Sequence, residues 1–175
     1  MTKKIIAFGG SSSKKSINKK LATYTSNLFK NASVEIIDLN DYEMPIFSVD
    51  KEEKGFPKEA QNFLDKIGEA DFLVVSLAEH NGAYTAAFKN ILDWTSRING
   101  KVFQGKRMLL MATSPGARGG KSVLEMAKDR FPRHDANLVG TFSLPSFYDN
   151  FDEEKGIIDE DLNKELLEII KSFDL

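Results

Sequence analysis

Ile5–Asn18 reads IIAFGGSSSKKSIN: an apolar run that stops at Gly9-Gly10, a loop of serines and lysines, and a helical pattern opening near Ser16 and Asn18. Glycines let a chain turn and lie close to a ligand. The N–H groups of a first helical turn have no partner inside their helix, and the helix dipole adds positive potential there. A buried strand, a small polar loop and a helix start therefore suit an anion. The same residues also read as an ordinary strand-to-helix turn with Ser16 or Asn18 as N-cap. The rest of the chain has to weigh one reading against the other.

On either side of this turn, strand and helix signals alternate. Lys4–Gly9 is a nearly continuous apolar run, the mark of a strand covered on both faces. Asn18–Asn31 carries Leu21, Ala22, Leu28 and Phe29 at helical spacing, and Val34–Asp38 alternates as a second strand. Asn40–Gly55, with Pro45 and several charges, reads as a long surface loop. Lys58–Ala70 is a helix with Ala60, Phe63, Leu64 and Ile67 on one face, and Asp71–Leu77 a buried strand. AEHNGAY then leads to a helix from Thr85 to Ile98, and Lys106–Thr113 is the fourth strand. SPGARGG precedes a helix through Phe131, Asn137–Phe142 is the fifth strand, and Asp159–Phe173 closes as an amphipathic helix. Such alternation predicts an α/β fold, a parallel sheet with helices on both faces and right-handed crossovers. No repeat or linker divides the chain, so residues 1–175 form one domain.

Composition narrows the function. The chain has 175 residues, 41% of them hydrophobic and 29% charged, and a net charge of -2 without a basic stripe, which argues against nucleic-acid binding. With no cysteine, thiolate metal sites and a cysteine nucleophile are excluded, and His80 and His134 stand too far apart in sequence to suggest a metal site. The N-terminus lacks a signal-peptide pattern and no window is long and apolar enough for a membrane span, so a cytoplasmic, membrane-free protein is expected.

In an open parallel sheet, ligands bind beyond the carboxyl ends of the strands where strand order reverses. Three loops rich in Gly, Ser or Asn fall at that edge: SSSKKSIN, AEHNGAY and SPGARGG. The first has neither G-x-G-x-x-G nor G-x-x-x-x-G-K-[ST], so it is neither a dinucleotide fingerprint nor a triphosphate loop. Ser11, Ser13, Ser16 and Asn18 around a helix start suit a terminal phosphomonoester.

These loops carry a specific resemblance. Gly10-Ser11-Ser12-Ser13-Lys14-Lys15-Ser16-Ile17-Asn18 resembles the phosphate motif of the NADPH-dependent FMN reductase family, within the flavodoxin-like superfamily. Ala78-Glu79-His80-Asn81 with Lys89-Asn90-Ile91-Leu92-Asp93-Trp94, and Ser114–Gly120, resemble the second and third motifs in order and spacing. The resemblance implies a three-layer sandwich with a five-stranded parallel sheet in the order 2-1-3-4-5. It implies that Ser11, Ser13, Ser16, Ile17 and Asn18 meet the FMN phosphate. Glu79, His80, Asn81 and Gly82 would line one side of the isoalloxazine, and Ser114, Gly116, Gly119 and Gly120 the other. The chain departs from the family where Ser13 replaces an arginine, Ala78 a proline and His80 a tyrosine.

The function so implied is an FMN-dependent NAD(P)H oxidoreductase that passes electrons to a quinone, azo or flavin acceptor. It uses NAD(P)H as co-substrate, no metal and no catalytic side chain. The resemblance also implies a homodimer or homotetramer. Two alternatives stand beside it: a flavodoxin-like electron carrier that binds FMN and a redox partner protein, and a member that has lost its flavin. Plainer roles are also open: His80 as a half-exposed loop residue, His134 at the surface, Glu79 as a structural group, and Asp93-Trp94 as packing. The same holds for Arg118 as a solvated side chain and for DNFDEEKGIIDED as a solvated turn.

Overall fold

In the computed structural model, which describes residues 2–173, the opening apolar run is strand β1 (Lys3–Gly10). Ile5, Ile6, Ala7 and Phe8 are completely buried, as a strand flanked by strands and covered on both faces must be. The chain continues through α1 (Ile17–Asn27), β2 (Ala32–Ile36), α2 (Val49–Glu52), α3 (Lys58–Gly68) and β3 (Phe72–His80). Next come β4 (Ala83–Tyr84), α4 (Ala86–Ile98), β5 (Arg107–Thr113), α5 (Lys121–Arg130) and β6 (Asn137–Leu144). The last elements are α6 (Phe147–Asn150), β7 (Phe151–Asp152), β8 (Gly156–Ile157) and α7 (Glu160–Lys171).

The main sheet runs β2-β1-β3-β5-β6, all parallel, with the short β4 paired antiparallel to the end of β3. Counting only the five parallel strands, this is the expected 2-1-3-4-5 order. Alternation along each strand sends side chains to two cores. Ile6, Phe8, Leu73, Val75 and Leu110 meet α3, α4 and α5 through Phe63, Ile67, Phe88, Trp94 and Val123. Ile5, Ala7, Val74, Leu109 and Met111 meet α1 and α7 through Leu21, Ala22, Leu166 and Ile170. The order reverses between β1 and β3, where two crossovers leave in opposite directions and a crevice opens at the carboxyl edge.

The structure corrects several expectations. β2 begins two residues earlier than the alternating run predicts, and α1 stops at Asn27 rather than Asn31. Asn40–Gly55 is not bare loop: it holds a 3-10 turn, Leu39–Tyr42, begun in the preceding residue, and α2. β3 runs three residues past Leu77, so AEHNGAY is a strand end and hairpin, with Glu79 opposite Tyr84 and His80 opposite Ala83. Its turn residues Asn81 and Gly82 have φ of 52° and 77°, the pairing that an Asn-Gly turn adopts between twisted strands. DNFDEEKGIIDED is not a plain solvated turn, because it contains the β7–β8 ribbon, packed on α1 by Phe151 edge-on to Tyr24. His134 is buried rather than superficial, its Nδ1 lying 2.9 Å from the Gly100 carbonyl.

Candidate functional site

The start of α1 is built from below and from within. A Cβ on Gly9 would stand 2.4 Å from the Lys19 nitrogen, so only glycine lets the first turn of α1 rest directly on β1. Ser16 is the N-cap, its Oγ accepting from Lys19 N at 3.1 Å. Ser11 Oγ accepts from Ser13 N at 3.1 Å, which folds the loop over itself. Both hydroxyl oxygens are engaged as acceptors, so each O–H is left to donate outward. Among the described residues, the N–H groups of Ile17 and Asn18 have no acceptor. No acidic residue stands in the first turn, and Lys14 and Lys15 are exposed beside it.

Asn18 ties the helix start to the sheet. Its side chain is buried: Oδ1 accepts from Ser76 Oγ at 2.7 Å and from Thr113 N at 3.0 Å, and Nδ2 donates one hydrogen to Thr113 O at 3.1 Å. The amide thus clips α1 to the ends of β3 and β5, one of its two N–H donors being used by Thr113 O, and the Asn18 backbone N–H is a further candidate donor. Ser13 is exposed and presents its hydroxyl at the loop tip.

The second wall is the β3–β4 hairpin. His80 and Asn81 are exposed at its tip, and the space above Gly82 is open, with nothing within 4 Å of an added Cβ. Thr85, which sequence reasoning missed, anchors the wall. Its buried Oγ1 donates to Gly10 O at 2.8 Å and accepts from Phe88 N at 3.2 Å, so one residue caps α4 and ties it to β1. A threonine directly before AAFKN was the available signal.

The third wall is the β5–α5 loop. Gly119 and Gly120 have φ of 58° and 74°, and Cβ atoms there would stand 2.4 Å from Ser143 Oγ and 2.9 Å from Ala112 Cβ. Both glycines are buried supports, while Gly116 is exposed beside open space and Ser114 is half-buried, its Oγ donating to Gly116 O at 3.2 Å. As N-cap of α5, Gly120 has no side chain to offer. Glu79 supplies the missing acceptor from across the crevice: its Oε2 takes the N–H of Val123 at 3.0 Å. Glu79 is therefore a structural link between hairpin and loop.

The Lys89–Trp94 motif also has a structural reading. Asn90 Nδ2 donates to Met44 O and Pro45 O, each at 3.1 Å, and its Oδ1 accepts from Phe47 N at 2.9 Å. Trp94 Nε1 donates to Pro45 O at 2.7 Å. This pins the segment after β2 beside a cavity of 270 Å³ that Ser12, Met44, Ala86 and Asn90 border. Arg118 is exposed, with a bond to Ser122 at 3.0 Å.

The model of the NADPH-dependent FMN reductase family matches residues 3–149. The chain belongs to that family. A 2-hydroxy-1,4-benzoquinone reductase from Burkholderia sp is 31% identical over 95% of this chain and 91% of its own. A protein of Mycoplasma pneumoniae named "Uncharacterized protein MG342 homolog" is 32% identical over 84% of this chain and 90% of its own. The solved structure of FerB, a flavoenzyme NAD(P)H:(acceptor) oxidoreductase from Paracoccus denitrificans, matches with a TM-score of 0.76. It covers 97% of this chain and 94% of its own at 22% identity, a likeness of fold. As a member of this family, the chain is an FMN-dependent NAD(P)H oxidoreductase.

The residues present fit that cofactor. Two unpartnered N–H groups, two hydroxyls free to donate and two nearby lysines form a cradle for a phosphomonoester dianion. Gly82 and Gly116, with nothing within 4 Å of an added Cβ, put no side chain in the way of a ring approaching the hairpin or the loop. Behind the hairpin, burial pushes the Tyr84 phenol up to about 12, so Tyr84 stays neutral and contributes packing against Phe88 and Phe131.

Proposed function

We propose that the crevice holds FMN with its phosphate at the start of α1 and its ring between the β3–β4 hairpin and the β5–α5 loop, and that the electron acceptor is a quinone, an azo compound or a free flavin. The observation that carries this reading is the convergence, at the point where strand order reverses, of an unpartnered helix start with two loops whose Gly82 and Gly116 have nothing within 4 Å of an added Cβ.

When bound, FMN supplies hydride uptake from NAD(P)H and electron delivery to the acceptor. The chain's own residues bind and orient. Ser11, Ser13 and Ser16 donate hydroxyl hydrogens to phosphate oxygens, Ile17 and Asn18 donate backbone N–H groups, and Lys14 and Lys15 supply the charge that Ser13 lacks. His80 and Asn81 meet the ring edge, Gly82 and Gly116 allow close approach, and Ser114 offers a polar contact. Gly119, Gly120 and Glu79 hold these walls in position from behind. No side chain is needed as a proton carrier, so we assign no catalytic residue.

The acceptor class is supported by the quinone-reducing relatives from Burkholderia and Arabidopsis thaliana. A second copy of the chain completes the molecule: Ile46, Val49 and Phe56 are 78%, 61% and 48% exposed beside α4, an apolar face suited to a homodimer. A reductase fed by NAD(P)H works where that nucleotide is regenerated, which makes the cytoplasm its compartment.

Because donor and acceptor use one crevice in turn, initial rates with NADPH and a benzoquinone should give parallel double-reciprocal lines. Intersecting lines would refute the shared crevice.

A further inference from the structure

The outer face of α1 borders a groove of 560 Å³ that begins at the phosphate cradle and ends near the C-terminus of the helix. Ser16 and Lys14 belong to both, so the groove is continuous with the cradle. It follows one stripe of the helix, Ser16, Lys20, Tyr24 and Leu28, which spans about 18 Å at the rise of an α-helix. Its far side is the β7–β8 ribbon, through Phe151 and Glu153. The sequence pattern that produces it is a helix face with lysines at its start and an aromatic ring midway, opposite a ribbon that sequence reading took for a solvated turn.

The lining chemistry is selective. Lys14, Lys19 and Lys20 stand against a single carboxylate, Glu153. Among the described residues Lys14 makes no ion pair, whereas Lys19 is bridged to Asp38 and Lys20 to Glu153. The Glu153 side chain is 75% exposed, so its hold on Lys20 is weak and readily exchanged for a better anion. Further along, Tyr24, Leu28 and Phe151 offer apolar surface, and Thr23 and Asn27 offer a hydroxyl and an amide. Cations at the cradle end, apolar rings and an amide beyond them, and a volume within the usual range of small-molecule sites match a phosphorylated nucleoside.

We propose that this groove binds the adenosine-phosphate part of a dinucleotide, either the AMP half of FAD or the phosphoadenosine part of NADP(H). The proposal rests on the flavin reading for its continuity with the cradle. The phosphate next to the cradle meets Lys14 and Lys20, with Lys20 leaving Glu153, and the adenine lies against the Tyr24–Phe151 side of the groove. No bond is made or broken in the step.

The test uses the full chain and two variants outside the cradle, the charge-reversing Lys20→Glu and the charge-adding Thr23→Glu. Both positions are on the outer surface of a helix whose buried residues are elsewhere. Titration calorimetry compares FAD with FMN, and follows adenosine 2′,5′-bisphosphate added to FMN-saturated protein. If the flavin is the source, FAD binds at least about tenfold tighter than FMN and either variant abolishes that advantage. If the nicotinamide nucleotide is the source, the bisphosphate binds the FMN-saturated protein and either variant weakens it about tenfold. The groove is overturned if FAD gains nothing over FMN and the bisphosphate does not bind, or if such binding is indifferent to both variants. Should FMN itself fail to bind, the flavin reading falls on its own. The bisphosphate titrated into the flavin-free protein and its variants then decides the groove separately.

Discussion

Of the helices that begin at the candidate site, α1 and α5 are started in opposite ways. α1 is capped by its own N-cap residue, Ser16, whose Oγ accepts from the N–H of Lys19 three positions on. α5 begins at Gly120, held at φ 74° and pressed against Ala112, where no side chain fits. The third N–H of its first turn, that of Val123, is taken instead by Glu79 from the end of β3. The first arrangement leaves the N–H groups of Ile17 and Asn18 without an acceptor among the described residues, in the place proposed for the FMN phosphate. The second makes a rigid wall whose position depends on another strand. In the proposed crevice, a helix start capped by its own residue thus meets a helix start capped from another strand.

The largest effect should come from removing the amide that clips α1 to β3 and β5. Asn18→Ala removes the acceptor for two buried donors, Ser76 Oγ and Thr113 N, and should destabilise the protein by about 3 kcal/mol. Urea denaturation would measure this. A loss near zero would mean the clip carries nothing.

Next come the glycines. Gly9→Ala forces its Cβ into the backbone of α1 and should cost about 2 kcal/mol and most of the FMN affinity. Gly120→Ala should lose a similar amount of stability through its left-handed φ and the Ala112 contact, with a smaller effect on phosphate binding. Equal losses of FMN affinity would erase the contrast between the two helix starts.

The caps sharpen it. Ser16→Ala and Glu79→Ala should each cost about 1 kcal/mol, as lost N-terminal caps do. Hydrogen exchange should quicken at Lys19 in the first variant and at Val123 in the second. Glu79→Gln keeps an acceptor oxygen and should restore Val123 protection. If Gln behaves like Ala, charge rather than capping is what Glu79 supplies.

The smallest effect lies at the opposite edge of the sheet, where Lys4 and Lys66 share the carboxylates Glu35 and Glu69. Hydrogen bonds from Lys4 and then Lys66 hold both carboxyls below their usual value of 4.5. A depressed folded-state value means a contribution that is present above pH 4.5 and lost as pH falls through the lower folded value. Glu69→Gln should slightly flatten the acid limb of the stability profile, leaving FMN affinity at neutral pH unchanged.

The same contrast explains what the sequence revealed. Strand β1, the Gly9-Gly10 stop and the Ser16 cap are determined within fifteen residues, so composition and spacing expose them. The sheet order follows from the resemblance, and the packing faces of α3 and α4 from periodicity. Long-range partners were hidden: nothing near Asn18 in sequence announces Ser76 or Thr113, and nothing near Glu79 announces Val123. His134 read as superficial because its acceptor, Gly100 O, is contributed by a distant loop. The hairpin was different, since Asn81-Gly82 is a local turn signal that the apolar strand pattern overshadowed.

The most direct measurement is an absorption titration of the purified protein with FMN, followed by NADPH under argon. A cradle at the start of α1 predicts saturable flavin uptake that Gly9→Ala greatly weakens, and bands that bleach when NADPH is added. Flavin that binds equally well in Gly9→Ala, or bound flavin that neither NADPH nor NADH bleaches, would contradict the account.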